Sequence, residues 1–116
     1  MNSIESLHQI LSFGERREQA FSCLAAMSKA DSQPVVATEQ HLTLVLGKYL
    51  AAEITADDLE EWALFIDCRA DIHAEAIEDY VYALANPSLM GEISEANIGK
   101  MLKLLIETVD QVDAIG

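Results

Sequence analysis

The sequence predicts an all-α protein, a single domain over residues 1–116 built as a bundle of five to six helices. Three observations carry that expectation. Apolar residues recur at helical spacing in one segment after another. Two helix-start signatures stand at Ile54-Thr55 and Ile93-Ser94, each an apolar residue before a hydroxyl cap. No segment sustains the period-two alternation and β-branched content of a strand. With 116 residues and 51% apolar composition, the chain can fill one core and is too apolar to be an acidic disordered tail.

The first helix is expected over residues 3–13, with Ser3 as its cap and Ile4, Leu7 and Leu11 inward. Gly14 interrupts the pattern. A second helical stretch runs from residue 15 to about 29, with Phe21, Leu24, Ala25 and Ser28 on one face; whether residues 3–29 form one kinked helix or two stays open. Residues 30–37, containing Asp31, Ser32, Gln33 and Pro34, read as a loop. Thr38-Glu39 opens the third helix, with Leu42, Val45, Leu46, Tyr49 and Leu50 inward and an end near Ala52.

Thr55 caps the fourth helix, Asp58 completes a shortened capping box, Ile54 staples against Leu59, and the helix runs to about Cys68. After a short connector the fifth helix fills about 74–85 and stops before Asn86-Pro87. Ser94 caps the sixth, Ile93 staples to Ile98, and Ile98, Met101, Leu102, Leu105 and Val109 point inward, with Lys100 and Lys103 outward. The starts at residues 53–55 and 92–94 are two uses of one capping solution, because repeat architectures usually need three or more units.

Charge is distributed unevenly. Residues 53–79 hold ten carboxylates and one base, Arg69, so −9 of the chain's −13 lies in 27 residues. Such a balance repels nucleic acid and anionic membranes, and it suits a basic protein partner or simple solubility. On a helical wheel centred on Leu59, the residues Trp62, Ala63 and Ile66 cluster inward, while Asp57, Glu60, Glu61 and Asp67 fill the far side with Leu64 in their midst. In the fifth helix Ile77, Tyr80, Val81 and Leu84 point inward, and Tyr82 falls between Glu75 and Glu78 beside Asp79. One apolar or aromatic side chain ringed by carboxylates on each of two neighbouring helices has the composition of a binding hot spot within a steering surround. The candidate partner-binding residues are Asp57, Glu60, Glu61, Leu64, Asp67, Asp71, Glu75, Glu78, Asp79 and Tyr82.

Sharper chemistries find less support. Asp67, Asp71, Glu75 and Glu78 fall at positions 1, 5, 9 and 12 of a calcium-loop spacing, but Arg69 takes position 3 and Ile72 takes the glycine position. Glu5-Ser6-Leu7-His8 is a lone Glu-x-x-His where a di-iron bundle needs two. His41 and His73 lack partners at metal spacing, and Cys23 and Cys68 read as reduced, partly buried thiols. No phosphate loop, nucleophile elbow or Cys/His pair is present. The expectation is an interaction protein with no catalytic residues, no metal and no cofactor. The segment MNSIESLHQ has no basic n-region, and no apolar run approaches the ~20 residues of a membrane span, so a cytoplasmic setting is expected.

The runs KYLAAEITADDLEEW (48–62) and ANPSLMGEI (85–93) resemble the small immunity proteins that accompany bacterial nuclease toxins of the contact-dependent growth inhibition and colicin type. The resemblance covers roughly residues 45–106. Immunity proteins of DNase colicins are acidic helical bundles with a tyrosine pair after an acidic helix, and Asp79-Tyr80-Val81-Tyr82 is loosely similar, with Val81 separating the tyrosines. The resemblance implies an inhibitor whose acidic face covers the basic cleft of a toxin's nuclease domain, including a tRNA-cutting one, by imitating phosphate charge. The alternative is a helical adaptor that self-associates, as a homodimer, through apolar grooves.

Overall fold

The computed structural model describes residues 1–28 and 33–115, with side chains described as far as Glu107. The elements in order are α1 (Ser3–Leu11), α2 (Arg17–Ala26), β1 (Val35–Val36), α3 (Glu39–Leu50), α4 (Ala56–Asp67), β2 (Ile72–His73), a 3-10 turn (Glu75–Ile77), α5 (Glu78–Ala85), α6 (Pro87–Met90) and α7 (Glu95–Ile115). The fold is an all-α bundle. Among the described residues there are seven helices, one more than expected, because Pro87 starts a single turn of its own. Leu7, Ile10 and Leu11 from α1, Leu42, Val45 and Leu46 from α3, Leu59, Trp62 and Ile66 from α4, Val81 and Leu84 from α5, and Ile98 and Leu105 from α7 share one core. The inward place expected for Val109 lies outside the described side chains.

Helix starts follow short polar side chains. Asn2, not Ser3, caps α1, its Oδ1 accepting from the Glu5 N–H at 2.8 Å. Ser3 is instead buried in the first turn, where its Oγ accepts from the Gln33 N–H at 3.2 Å. Thr55 and Asp58 form the reciprocal box on α4, with Thr55 N–H donating to Asp58 at 2.9 Å and Asp58 N–H to the Thr55 hydroxyl at 3.1 Å. Ser94 Oγ accepts from the Asn97 N–H at 3.2 Å to start α7. In α3 the box partner of Thr38 is the His41 ring, whose Nδ1 accepts from the Thr38 N–H at 3.0 Å.

Two helix ends use a device that the sequence disguises. After α1, Gly14 N–H donates to the Gln9 carbonyl at 2.8 Å and Phe13 N–H to the Ile10 carbonyl at 3.1 Å. After α3, Glu53 N–H donates to Lys48 at 2.9 Å and Ala52 N–H to Tyr49 at 3.0 Å. Each is the double bond pattern of a Schellman motif, which places a residue in the left-handed region. Those residues are Phe13 (φ 54) and Ala52 (φ 62), where glycine is the usual choice. At Gly14, one position later, a Cβ would displace the flexible end of the Gln9 side chain, whose Oε1 accepts from the Arg16 N–H at 3.3 Å. Residues 3–28 therefore hold two helices, packed on each other, and not one bent helix; residue 29 lies outside the described residues.

Three expectations need correction. Ile4 is exposed, because α1 turns Leu7, Ile10 and Leu11 inward. Helix α2 ends at Ala26 and buries Ala20 and Leu24, leaving Phe21, Ala25 and Ser28 outside. The small Ala20 lets α2 lie against α1, and that rotation swings Phe21 about 100° off the core. Residues 33–37 are not purely loop either: Val35 and Val36 pair in parallel with Ile72 and His73, through Val35 N–H to Asp71 and Ala37 N–H to His73, both at 2.9 Å. The rest of that expected loop, residues 30–32, lies outside the described residues.

A buried hydrogen bond joins the two ends of this architecture. Trp62 on α4 donates its indole N–H to the Leu11 carbonyl at 3.0 Å, satisfying a helix-end acceptor of α1 that has no backbone donor among the described residues. Trp62→Phe strands that acceptor, and urea unfolding is expected to show a loss of about 1–3 kcal/mol. An Ala→Gly change inside a helix costs about 1 kcal/mol; Ala52→Gly, at a positive φ, is expected to leave the urea midpoint unchanged or raised. His41 gives a pH dependence. Its box bond needs an unprotonated Nδ1, and burial, then repulsion from His8, lowers its pKa below 6.5. Between that lowered pKa and 6.5 the unfolded chain binds a proton that the folded chain refuses, so this contribution is full above pH 6.5 and is lost as pH falls through the folded-state pKa. His41→Gln keeps a box acceptor, and the difference in midpoint between wild type and variant should be independent of pH above 6.5 and shift against the wild type below it.

Candidate functional site

The acidic stretch of the sequence becomes α4, β2, the 3-10 turn and α5. Helix α4 fixes its own rotation by burying Leu59, Trp62, Ala63 and Ile66. That leaves Asp57, Glu61 and Asp67 exposed, Glu60 half-buried, and Leu64 standing 39% exposed among them. Helix α5 buries Val81 and Leu84 after Ile77 in the turn before it, so Glu78 and Asp79 are exposed and Tyr82 is 48% exposed. The negative side chains of the first turns, Asp57 and Asp58 on α4 and Glu78 and Asp79 on α5, sit at the positive ends of the helix dipoles, which offsets part of their mutual repulsion.

The two helices pack side by side. A groove of about 260 Å³ lies where they meet, lined by Asp67 at the end of α4, Arg69 after it, Ile72 and His73, and then Glu75, Glu78 and Val81. It brings Asp67, Glu75 and Glu78 from separate segments around one depression. Asp57 and Glu61 lie elsewhere on α4; Glu61 and Asp58 instead border a notch toward α2, floored by Ile10, Phe13, Phe21, Trp62 and Phe65. Asp79 and Tyr82 stand on the outer side of α5.

Asp71 is the candidate that the structure sets apart. Its two carboxylate oxygens accept from Arg69 Nε at 2.8 Å and Nη2 at 2.7 Å, in a part-buried bidentate pair. Asp71 holds the Arg69 proton more firmly, raising that pKa against the opposing effect of burial. The pair removes the stretch's one base from the electrostatic surface, together with one acid. It also interrupts the calcium-loop spacing: Arg69 occupies Asp71, and Ile72 is buried in β2.

The notch adds what the wheel did not supply. Phe21 meets the edge of Phe65 at a centroid distance of 5.3 Å and an interplanar angle of 84°. Phe21 is exposed, Phe65 is half-buried, and Arg69 lies 5.2 Å over the Phe65 ring. An aromatic pair thus borders the acidic side of α4. The signal was present in the sequence as Ala20 and Leu24, an i, i+4 pair sufficient to face α1 without Phe21.

Other titratable groups form no comparable assembly. His8 and His41 approach to 5.7 Å between ring centroids, with His41 Nδ1 engaged at the helix cap. Cys23 is partly buried and Cys68 exposed, both as free thiols. Among the described residues no three His, Cys, Asp or Glu side chains are grouped to hold a metal ion, and no helix is long and apolar enough to cross a membrane. What the arrangement offers chemically is charge, shape and a few exposed rings. No family model matches the chain, and neither a curated protein nor a solved structure shows significant similarity to it.

Proposed function

We propose that the chain is an immunity-type inhibitor that binds a basic nuclease domain through the outer faces of α4 and α5. One observation carries the reading. Leu64 and Tyr82 stand in solvent on adjacent helices, each beside exposed carboxylates, and Asp67, Glu75 and Glu78 line the shared groove. A cleft that binds nucleic acid is lined by Lys and Arg, and an acidic ridge of this kind is its electrostatic complement. The function asks no bond-making chemistry, cofactor or metal of the chain, and the site of action would be the cytoplasm, where the toxin's substrate lies.

The contributions divide by chemistry. Asp57, Glu60, Glu61, Asp67, Glu75, Glu78 and Asp79 accelerate encounter; each exposed pair contributes no more than about 1 kcal/mol. Leu64, Tyr82 and the Phe21–Phe65 pair are the anchors that lose water on docking, with aromatics the stronger. Asp71, committed to Arg69, shapes the groove and contributes little attraction of its own.

The test is a search for a neighbouring reading frame that ends in a basic, nuclease-sized domain, then co-expression with that domain and binding kinetics. Protection of the host and one-to-one inhibition are expected, with an association rate that falls at least tenfold between low and high salt. Tyr82→Ala should speed dissociation about tenfold or more, while Glu61→Ala or Glu78→Ala mainly slow association. A complex indifferent to salt and to Tyr82→Ala would reject this face.

A further inference from the structure

Among the described residues two surfaces stand out, and the acidic ridge is one. The other lies where α5, α6 and α7 meet, a groove of about 360 Å³ lined mainly by Tyr80, Leu84, Met90, Ile93, Met101 and Leu104. Met90 and Leu104, which line it, are 56% and 58% exposed, and Leu89, next to Met90 in the chain, is 72% exposed. One exposed leucine is ordinary, but a run of large apolar side chains around a groove marks an interaction surface.

Charge selects the occupant. The net charge of −13 makes two copies of the chain repel each other over most of their surface. Among the described bases Arg69 is ion-paired with Asp71, while Arg16 on Gln19, Arg17 over the Phe13 ring at 3.9 Å and Lys48 on the Phe13 carbonyl keep their charge but are held in place by neutral partners. Lys100 and Lys103 are exposed on α7 and make no hydrogen bond or ion pair with the described residues, and Lys100 lines the groove. Across the same groove stand carboxylates: Glu92 lines it, and Asp79 is one helical turn from Ala83, which also lines it.

We propose that this groove is the interface of a homodimer, in which a second copy packs its α7 against the α5–α6 side of the first. A two-fold arrangement sets the lysines of each copy against the carboxylates of the other, and both contacts recur by symmetry. The apolar residues fill the centre and the opposite charges form the rim, the usual anatomy of such an interface. Asp79 borders both surfaces; the rest of the acidic ridge, Tyr82 included, lies outside the groove.

Sedimentation velocity of the full chain, from micromolar to millimolar concentration, tests this directly. A reversible monomer–dimer equilibrium is expected. Met90→Glu and Leu104→Glu, both at exposed positions, should each weaken it at least tenfold with circular dichroism and urea midpoint unchanged. Reversing Lys100 and Lys103 to Glu should weaken it most at low salt. Tyr82→Ala should leave it intact; a loss there would move the interface onto the acidic ridge and overturn the assignment. A dimer untouched by Met90→Glu and Leu104→Glu overturns it as well. So does a monomer at every concentration, which would leave the groove to a partner of another sequence.

Discussion

The rotation of α4 about its own axis is the constraint on which the rest of the molecule depends. Three things set it: the Thr55–Asp58 box at its start, the buried stripe from Leu59 to Ile66, and the Trp62 indole bound to the Leu11 carbonyl. A turn of α4 by one residue would carry Leu64 toward the interior and Trp62 toward solvent. The indole bond opposes that motion in a way that apolar packing alone does not, since it is directional and its acceptor has no backbone donor among the described residues. Everything displayed on the outer side of the bundle is registered to this helix.

That registration is what permits so many like charges together. Two carboxylates about 7 Å apart in a water-like dielectric repel by roughly 0.6 kcal/mol, and salt reduces this further. Full burial of a side chain such as Leu59 contributes about 1.5–3 kcal/mol. With Leu59, Trp62, Ala63 and Ile66 all inside, burial exceeds the repulsion along α4, and the helix dipole removes part of what remains. The ridge is therefore tolerated by the fold without any internal counter-charge beyond Arg69, whose partner Asp71 takes it out of play.

How much of this could be read in advance follows the range of each interaction. Caps are local, so Thr38, Thr55 and Ser94 were legible as helix starts; a reader preferring Ser to Asn as the cap misplaces the first by one residue, as happened at Ser3. The wheel of α4 was legible because its stripe is strong and complete. The wheel of α2 was not: that helix has weak sidedness, and its neighbour α1 decided which side went in. Both Schellman ends were hidden because Phe13 and Ala52 carry out a task that glycine usually announces. Arg69 and Asp71 stand two residues apart just before β2, a geometry no periodicity records, and the sequence offers nothing to separate Asp71 from the free acids. The pairing of Val35 with Ile72 rests on contacts across the whole α3–α4 excursion, and two residues are too few to leave a strand pattern.

That short parallel pairing has a kinetic consequence. It closes a clasp around α3 and α4, and its two backbone bonds can form only after both helices have brought their ends together. The entropy of closing so long an excursion is met before the bonds repay it, which makes the clasp a late event in folding and an early one in partial opening. Hydrogen exchange at the Val35 and Ala37 amides would report that opening separately from global unfolding. Because β2 leads directly into the turn carrying Glu75, release of the clasp would loosen one wall of the acidic groove while the α4 side stayed in place.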